Sequence, residues 1–202
     1  MDSSSTIVEF TRGYLAVFYT CVAAFYALRI TAKKRAGLRE VVFPGERFSS
    51  TWWNHMLFRA LRFTIWMVCL FRYFFPGIDS YLGFFAYLNV WPIVLAGNIL
   101  LTAGFIFTVV THFSLGSNWR SGIDPNGSEK LRTEGFYKLS CNPMFLGIAA
   151  AQVGFLLAMP SVFSVGCLII GLYTLHSQAL AEEAHLMMLF PKDYQHYMGH
   201  VR

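Results

Sequence analysis

Residues 144–176 read MFLGIAAAQVGFLLAM, then Pro160, then SVFSVGCLIIGLYTLH. Two apolar runs meet at Met159-Pro160-Ser161, a junction too tight for anything but a helical hairpin turn. A helix needs about 20 apolar residues to cross about 30 Å of hydrocarbon. The first run (144–159) is short for that task, and the second continues past His176. Working outward, three more segments qualify or nearly so: 13–30, 55–75 and 85–113. The third contains Pro92, a kink or an entry point. The expected fold is therefore all-α and integral to a membrane. It has about five transmembrane helices in a single membrane domain, residues 1–202, with spans near 13–30, 55–75, 85–113, 144–159 and 161–181. A polar loop (114–143) and a tail (182–202) carry what is left.

Composition agrees. The chain has 202 residues, 55% hydrophobic and 13% charged, with 20 phenylalanines. Soluble domains carry about 25% charged residues. Disorder, low-complexity fibres and nucleic-acid-binding tails are excluded. The net charge of +5 does not point to nucleic acid, because Lys and Arg sit between apolar runs and not on one polar face. No nucleic-acid partner is expected. Cys21, Cys69, Cys141 and Cys167 show no CxxC spacing, and no disulfide or zinc site is expected.

Charge placement predicts topology. Lys33, Lys34, Arg35, Arg39 and Arg47 follow the first segment. Arg120, Lys130, Arg132 and Lys138 follow the third, and Lys192 and Arg202 lie in the tail. Nothing basic precedes Arg12 or lies in 76–83. The N-terminus is therefore expected outside, with both long loops and the C-terminus cytoplasmic. Arg12, Arg29, Arg59, Arg62 and Arg72 fall in or at span ends, where long side chains can snorkel. Glu9 and Arg12 before the first segment, and basic residues after it, speak against a cleaved signal peptide.

Two polar stretches carry chemical content. In 130–147, Gly135 permits a turn of positive φ. Asn142-Pro143 signals a helix start, with Asn at the cap and Pro first in the helix. The amides of that first turn could take an anion such as a carboxylate. In the second stretch, Glu182-Glu183 close the last span. Consecutive helical residues point about 100° apart, so one carboxylate faces inward and the other away. The inward one needs a cationic ligand, or a Lys or Arg from the preceding loop. Glu183 shares a face with His176, which favours Glu183. His196 and His200 lie at i, i+4, but no third ligand is fixed and no metal is expected. Trp52, Trp53 and Trp91 read as interfacial anchors. A phosphate-binding loop, a dinucleotide glycine motif and HExxH are all absent.

These stretches together resemble the isoprenylcysteine carboxyl methyltransferase and phospholipid methyltransferase superfamily of small membrane enzymes. The matching residues are Gly135-Phe136-Tyr137, Asn142-Pro143-Met144-Phe145 with Gly147, Glu182-Glu183 with Leu186, and Phe190, Tyr194 and Tyr197. Leu115-Gly116 with Trp119 matches a further short motif. Where the family usually has Arg-His before Pro, this chain has Cys141-Asn142. Its usual Tyr is Phe145, and a tail Gly is Pro191.

The resemblance implies S-adenosylmethionine as cofactor, held by Leu131, Gly135, Tyr137, Asn142, Pro143, Met144, Glu182 and Glu183. It also implies a lipid-like or prenylated acceptor, a carboxylate or an amine, entering from the bilayer. A carboxylate acceptor needs no base, whereas an amine would use one such as Glu183 or His185. No catalytic residue is assigned. Membrane sterol-type reductases that use NADPH share a similar C-terminal layout, and a non-catalytic scaffold is the third reading.

Overall fold

The computed structural model describes residues 3–35, 42–115, 121–124 and 130–201, with side chains from residue 5 onward. Arg39, Gly116, Trp119, Arg120 and Arg202 lie outside the described residues. Among the described residues the regular structure is helical apart from one pair of two-residue strands. In order come α1 (Ser3–Arg35), β1 (Val42–Phe43), α2 (Ser50–Phe74), α3 (Trp91–Leu115), β2 (Ser121–Gly122), α4 (Pro143–Ala158), α5 (Val162–Leu189) and α6 (Pro191–His200). Short 3-10 turns occupy Pro76–Tyr81 and Gly135–Lys138.

Three of the described helices, α1, α3 and α5, are long and apolar enough to cross a membrane. Ile99, Ile106, Val110, Ile169 and Tyr173 are exposed on their outward faces. An apolar surface of that extent is one that lipid covers. Helix α4 is apolar but has 16 residues. Helix α2 has 25 residues and carries three arginines.

Several boundaries differ from the sequence reading. Helix α1 begins at Ser3 and runs to Arg35, because no Pro, Gly pair or turn signal interrupts it. Helix α3 starts at Trp91, so Pro92 marks entry and not a kink. Residues 85–90 form a loop whose Phe85 amide donates to Pro160 O (2.9 Å). Helix α5 extends to Leu189, so Glu182 and Glu183 lie within it and not in a tail. It starts where Ser161 caps it, the Ser161 hydroxyl accepting from the Ser164 amide at 3.2 Å.

Glycine sets the spacing of α3 and α4. A Cβ at Gly97 would fall on the backbone of Ala158, and one at Gly154 on that of Leu101. Gly104 lies against Ala151 and Gly147 against Thr108. The two helices therefore run antiparallel with backbones in contact, the close approach that small residues permit. Helix α5 packs beside α4, with Gly171 against the Gln152 side chain. Helix α2 joins α5 through Asn54 Nδ2, which donates to Thr174 O (3.0 Å).

One end of the bundle is closed by ions. Asp79 in the 3-10 turn accepts from Arg12 of α1 (2.6 Å) and Arg72 of α2 (2.6 Å). Arg72 is 2% exposed, and its guanidinium also lies over the Phe84 ring at 5.0 Å. Neither arginine snorkels, because a carboxylate is within reach. The buried hydrophobic core includes Leu15, Cys69, Leu82, Met159 and Cys167. At the opposite end, β1 and β2 pair in parallel, Val42 with Ser121 and Phe43 with Gly122. Gly122 has φ +91°, and a Cβ there would strike Phe43 O.

Candidate functional site

A cavity of about 520 Å³ opens between the five long helices, under the β1–β2 pair. Its walls are mostly apolar. Phe18 and Tyr19 come from α1, Leu101 and Phe105 from α3, and Met144, Phe145 and Ile148 from α4. Polar groups enter on two sides. Helix α2 contributes Asn54, His55, Arg59 and Arg62, while α4 and α5 contribute Gln152, Gln178 and Glu182.

Glu182 is the carboxylate that faces this space. Gln178 Nε2, one turn earlier on α5, donates to its Oε1 at 2.9 Å. Among the described residues it has no ion pair. Glu183 turns elsewhere: its Oε1 accepts from Asn142 Nδ2 at 3.0 Å. The preference for Glu183 as the inward carboxylate is thus reversed. Sharing a face with His176 did not fix which way that face turns. Asn142 also departs from its expected role. Its side chain makes no capping bond, and it is the carbonyl that accepts, from the Phe145 and Leu146 amides at 3.1 and 3.2 Å. Pro143 occupies the first helical position as expected.

The loop before α4 is tied to the last helix. Tyr197 of α6 is buried, and its hydroxyl donates to Tyr137 O at 2.5 Å, with Ser140 O at 3.3 Å. Cys141 Sγ sits 3.8 Å from Val201 O. Burial first, then the charge of Glu182, pushes the Tyr137 phenol up to about 12. That hydroxyl stays protonated and remains a donor at neutral pH. Burial also raises Tyr194 and Tyr197, helped by the charges of Glu183 and Cys141 respectively. Arg132 makes no ion pair with Glu182 or Glu183 among the described residues; its guanidinium donates to Ser114 O at the end of α3.

The expected site residues therefore divide. Met144 and Glu182 line the cavity. Tyr137 lies near enough to Glu182 to feel its charge. Asn142, Pro143 and Glu183 form the start of α4 and its tie to α5. Leu131 and Gly135 do not line the cavity. Gly135 has φ +64° with nothing near an added Cβ, so the backbone angle alone requires glycine there.

Sequence reading missed the α2 wall. Its signal was present: His55, Arg59 and Arg62 recur at helical spacing on one side of an otherwise apolar segment. Their place at the span end had suggested snorkelling.

The family described as phospholipid methyltransferase matches residues 92–193, half of the chain. That stretch runs from α3 into α6 and contains Glu182, Glu183 and the start of α4, but none of α1 or α2. No curated protein matches, and no solved structure does.

Proposed function

Because the chain belongs to the phospholipid methyltransferase family, part of the isoprenylcysteine and phospholipid methyltransferase superfamily, we propose that it moves a methyl group from S-adenosylmethionine to a lipid-like or prenylated acceptor within the membrane. The observation that carries this reading is Glu182, a carboxylate on the wall of a largely apolar cavity with one neutral partner, Gln178. A carboxylate so placed suits a cationic or hydroxyl group of a ligand. The cofactor offers both, an ammonium and ribose hydroxyls.

Glu182 with Gln178 would hold the polar end of the cofactor, and Met144 would pack against it. Tyr137 supplies a neutral donor nearby. Asn142, Pro143 and Glu183 keep the start of α4 fixed, and Leu131 and Gly135 shape the loop that approaches it. When bound, the cofactor supplies an electrophilic methyl group on a sulfonium, which the acceptor oxygen or nitrogen takes in line. The residues hold the partners in position, an effect worth about 7–11 kcal/mol, and the apolar walls exclude water. A carboxylate acceptor needs no base. An amine acceptor would lose its proton to Glu182, which faces the cavity, sooner than to Glu183.

The arrangement in the membrane follows the charges. We place five spans, with α4 and α5 as a tight hairpin, the N-terminus outside, and the Glu182 end with the C-terminus in the cytoplasm. The single membrane domain takes in the whole chain.

Titration of purified protein with S-adenosylhomocysteine and, separately, NADPH tests the cofactor. At 100 times its Kd a ligand adds about 2.7 kcal/mol to the folded state. A saturable rise in melting temperature with the homocysteine, weakened in Glu182→Gln, is expected. A rise with NADPH alone would replace methyl transfer by a reductase, and a rise with neither would leave a scaffold.

A further inference from the structure

Helix α2 carries two arginines that differ from its third in their surroundings. On the same helix Arg72 meets Asp79. Arg59 and Arg62, by contrast, have no carboxylate partner among the described residues, yet both line the cavity. The Arg62 guanidinium stacks on the Tyr26 ring at 4.3 Å, with Phe58 at 5.7 Å. Stacking uses the flat face of the group and leaves the N–H donors around its edge. Ionisable side chains inside membrane segments are costly, and those that stay mark ligand or ion paths.

A second observation comes from amides on the same cavity. Asn54 is 8% exposed. Its Nδ2 is fixed to Thr174 O, while its Oδ1 has no donor among the described residues. Gln152 Oε1, packed against Gly171, is likewise buried without a donor among the described residues. Buried acceptors are normally paired, and both residues line the cavity, so a rotation of either amide would bring an unpaired oxygen to a ligand's N–H or O–H. The remaining lining is hydrocarbon, suited to a chain. A cationic headgroup fits Glu182 but not the α2 wall.

We propose that Arg59 and Arg62 form an anion-recognition site that selects a negatively charged amphiphile as methyl acceptor, with Asn54 and Gln152 accepting from its hydrogen-bond donors. This rests on the methyltransferase reading only in taking the cavity as the acceptor's chamber. The anionic group is a phosphate or a carboxylate, the chemistry that a guanidinium pair binds by paired N–H donors. Since α2 lies outside the segment that the family match covers, acceptor choice would reside in the part of the chain that the match leaves free.

The test uses the full chain in a neutral maltoside detergent. The probes share a twelve-carbon chain: dodecyl phosphate, dodecanoate, N-dodecanoylglycine and dodecyltrimethylammonium. The readout is the melting midpoint against probe concentration. Saturable stabilisation by at least one anionic probe and none by the cation is expected. Phosphate alone would point to a lipid phosphate, and carboxylates alone to a carboxyl acceptor. The glycine conjugate should bind more tightly than dodecanoate, through its amide N–H, and Gln152→Leu should narrow that gap. The double variant Arg59→Gln, Arg62→Gln should weaken the anionic probe about tenfold or more, whereas the double lysine variant, which keeps the charge but loses the paired donors, should fall between that variant and the unaltered protein. Equal stabilisation by the cationic probe, or unchanged affinity in the glutamine variant, overturns the proposal. The sign preference in the unaltered protein stands even if that variant does not fold. Loss of response to S-adenosylhomocysteine with the anion preference intact would count against methyl transfer alone.

Discussion

Arg72 and Arg59 belong to one helix and meet opposite environments. At the Asp79 end, Arg72 is buried, shares a carboxylate with Arg12 and lies over Phe84. At the Glu182 end, Arg59, Arg62 and Glu182 border a cavity and have no ion pair among the described residues. The glycine seam between α3 and α4 spans both ends, so backbone packing is not the difference. A bundle that satisfies its charges at one end has the means to do so at the other. Charges left open around a cavity are better suited to a ligand than to stability.

Breaking the paired end should have the largest effect. Asp79→Asn leaves Arg72 buried without its charge, a class of change that costs about 3–5 kcal/mol. Unfolding in mixed detergent should shift by about that amount, with S-adenosylhomocysteine affinity unchanged. The glutamine variant at Arg59 and Arg62 is the counterpart and should cost about 1 kcal/mol or less, the value of the lost stacking. Equal losses from both would erase the contrast. The paired end should also respond to acid. Burial alone would raise Asp79, but the hydrogen bonds and charges of Arg72 and Arg12 outweigh it and hold its carboxyl below the usual value. Its folded pKa is depressed, so its contribution is present above the ordinary aspartate pKa of about 3.9. It is lost as pH falls further, through the lowered folded value. Melting temperatures from pH 5 downward should fall less steeply in Asp79→Asn.

At the open end, Glu182→Gln should weaken S-adenosylhomocysteine about tenfold, or about 1.4 kcal/mol, with little change in melting without ligand. Calorimetric titration reads it. Glu183→Gln should do less to affinity and more to the start of α4, since it loses the charge that Asn142 bonds. A larger affinity loss at Glu183 would move the cofactor out of the cavity. The most local effect concerns the strand pair over the cavity. Gly122→Ala puts a side chain at φ +91° against Phe43 O, a strain of about 1–3 kcal/mol that local opening can relieve. Amide exchange at Val42 and Phe43 should speed up while exchange in α3 and α4 stays slow.

Much of the fold was legible because apolar length and punctuation are local properties. Asn142-Pro143 marked α4, and Ser161 after Pro160 marked α5. The glycine seam had a signal too. Gly97 and Gly104 lie seven apart, as do Gly147 and Gly154, two turns on one helix face. What the spacing lacked was a partner, since nothing in α3 says that its glycines meet those of α4. The same holds for Arg12 and Asp79, which are 67 residues apart.

The sequence by itself determined that this is an apolar helical protein, where its last two long helices begin, and that Glu182 and Glu183 cannot face the same way. Those facts depend on composition, caps and a 100° helical step, none of which needs a neighbour. Only the tertiary structure decided that Glu182 faces the cavity, that Glu183 goes to Asn142, and that, among the described residues, Arg72 has a carboxylate partner while Arg59 and Arg62 have none. The reason is rotational. A helix fixes the angles between its own side chains, but its turn about its axis is set by packing. For α5 that packing is Gly171 against Gln152 on one side and Thr174 O against Asn54 on the other.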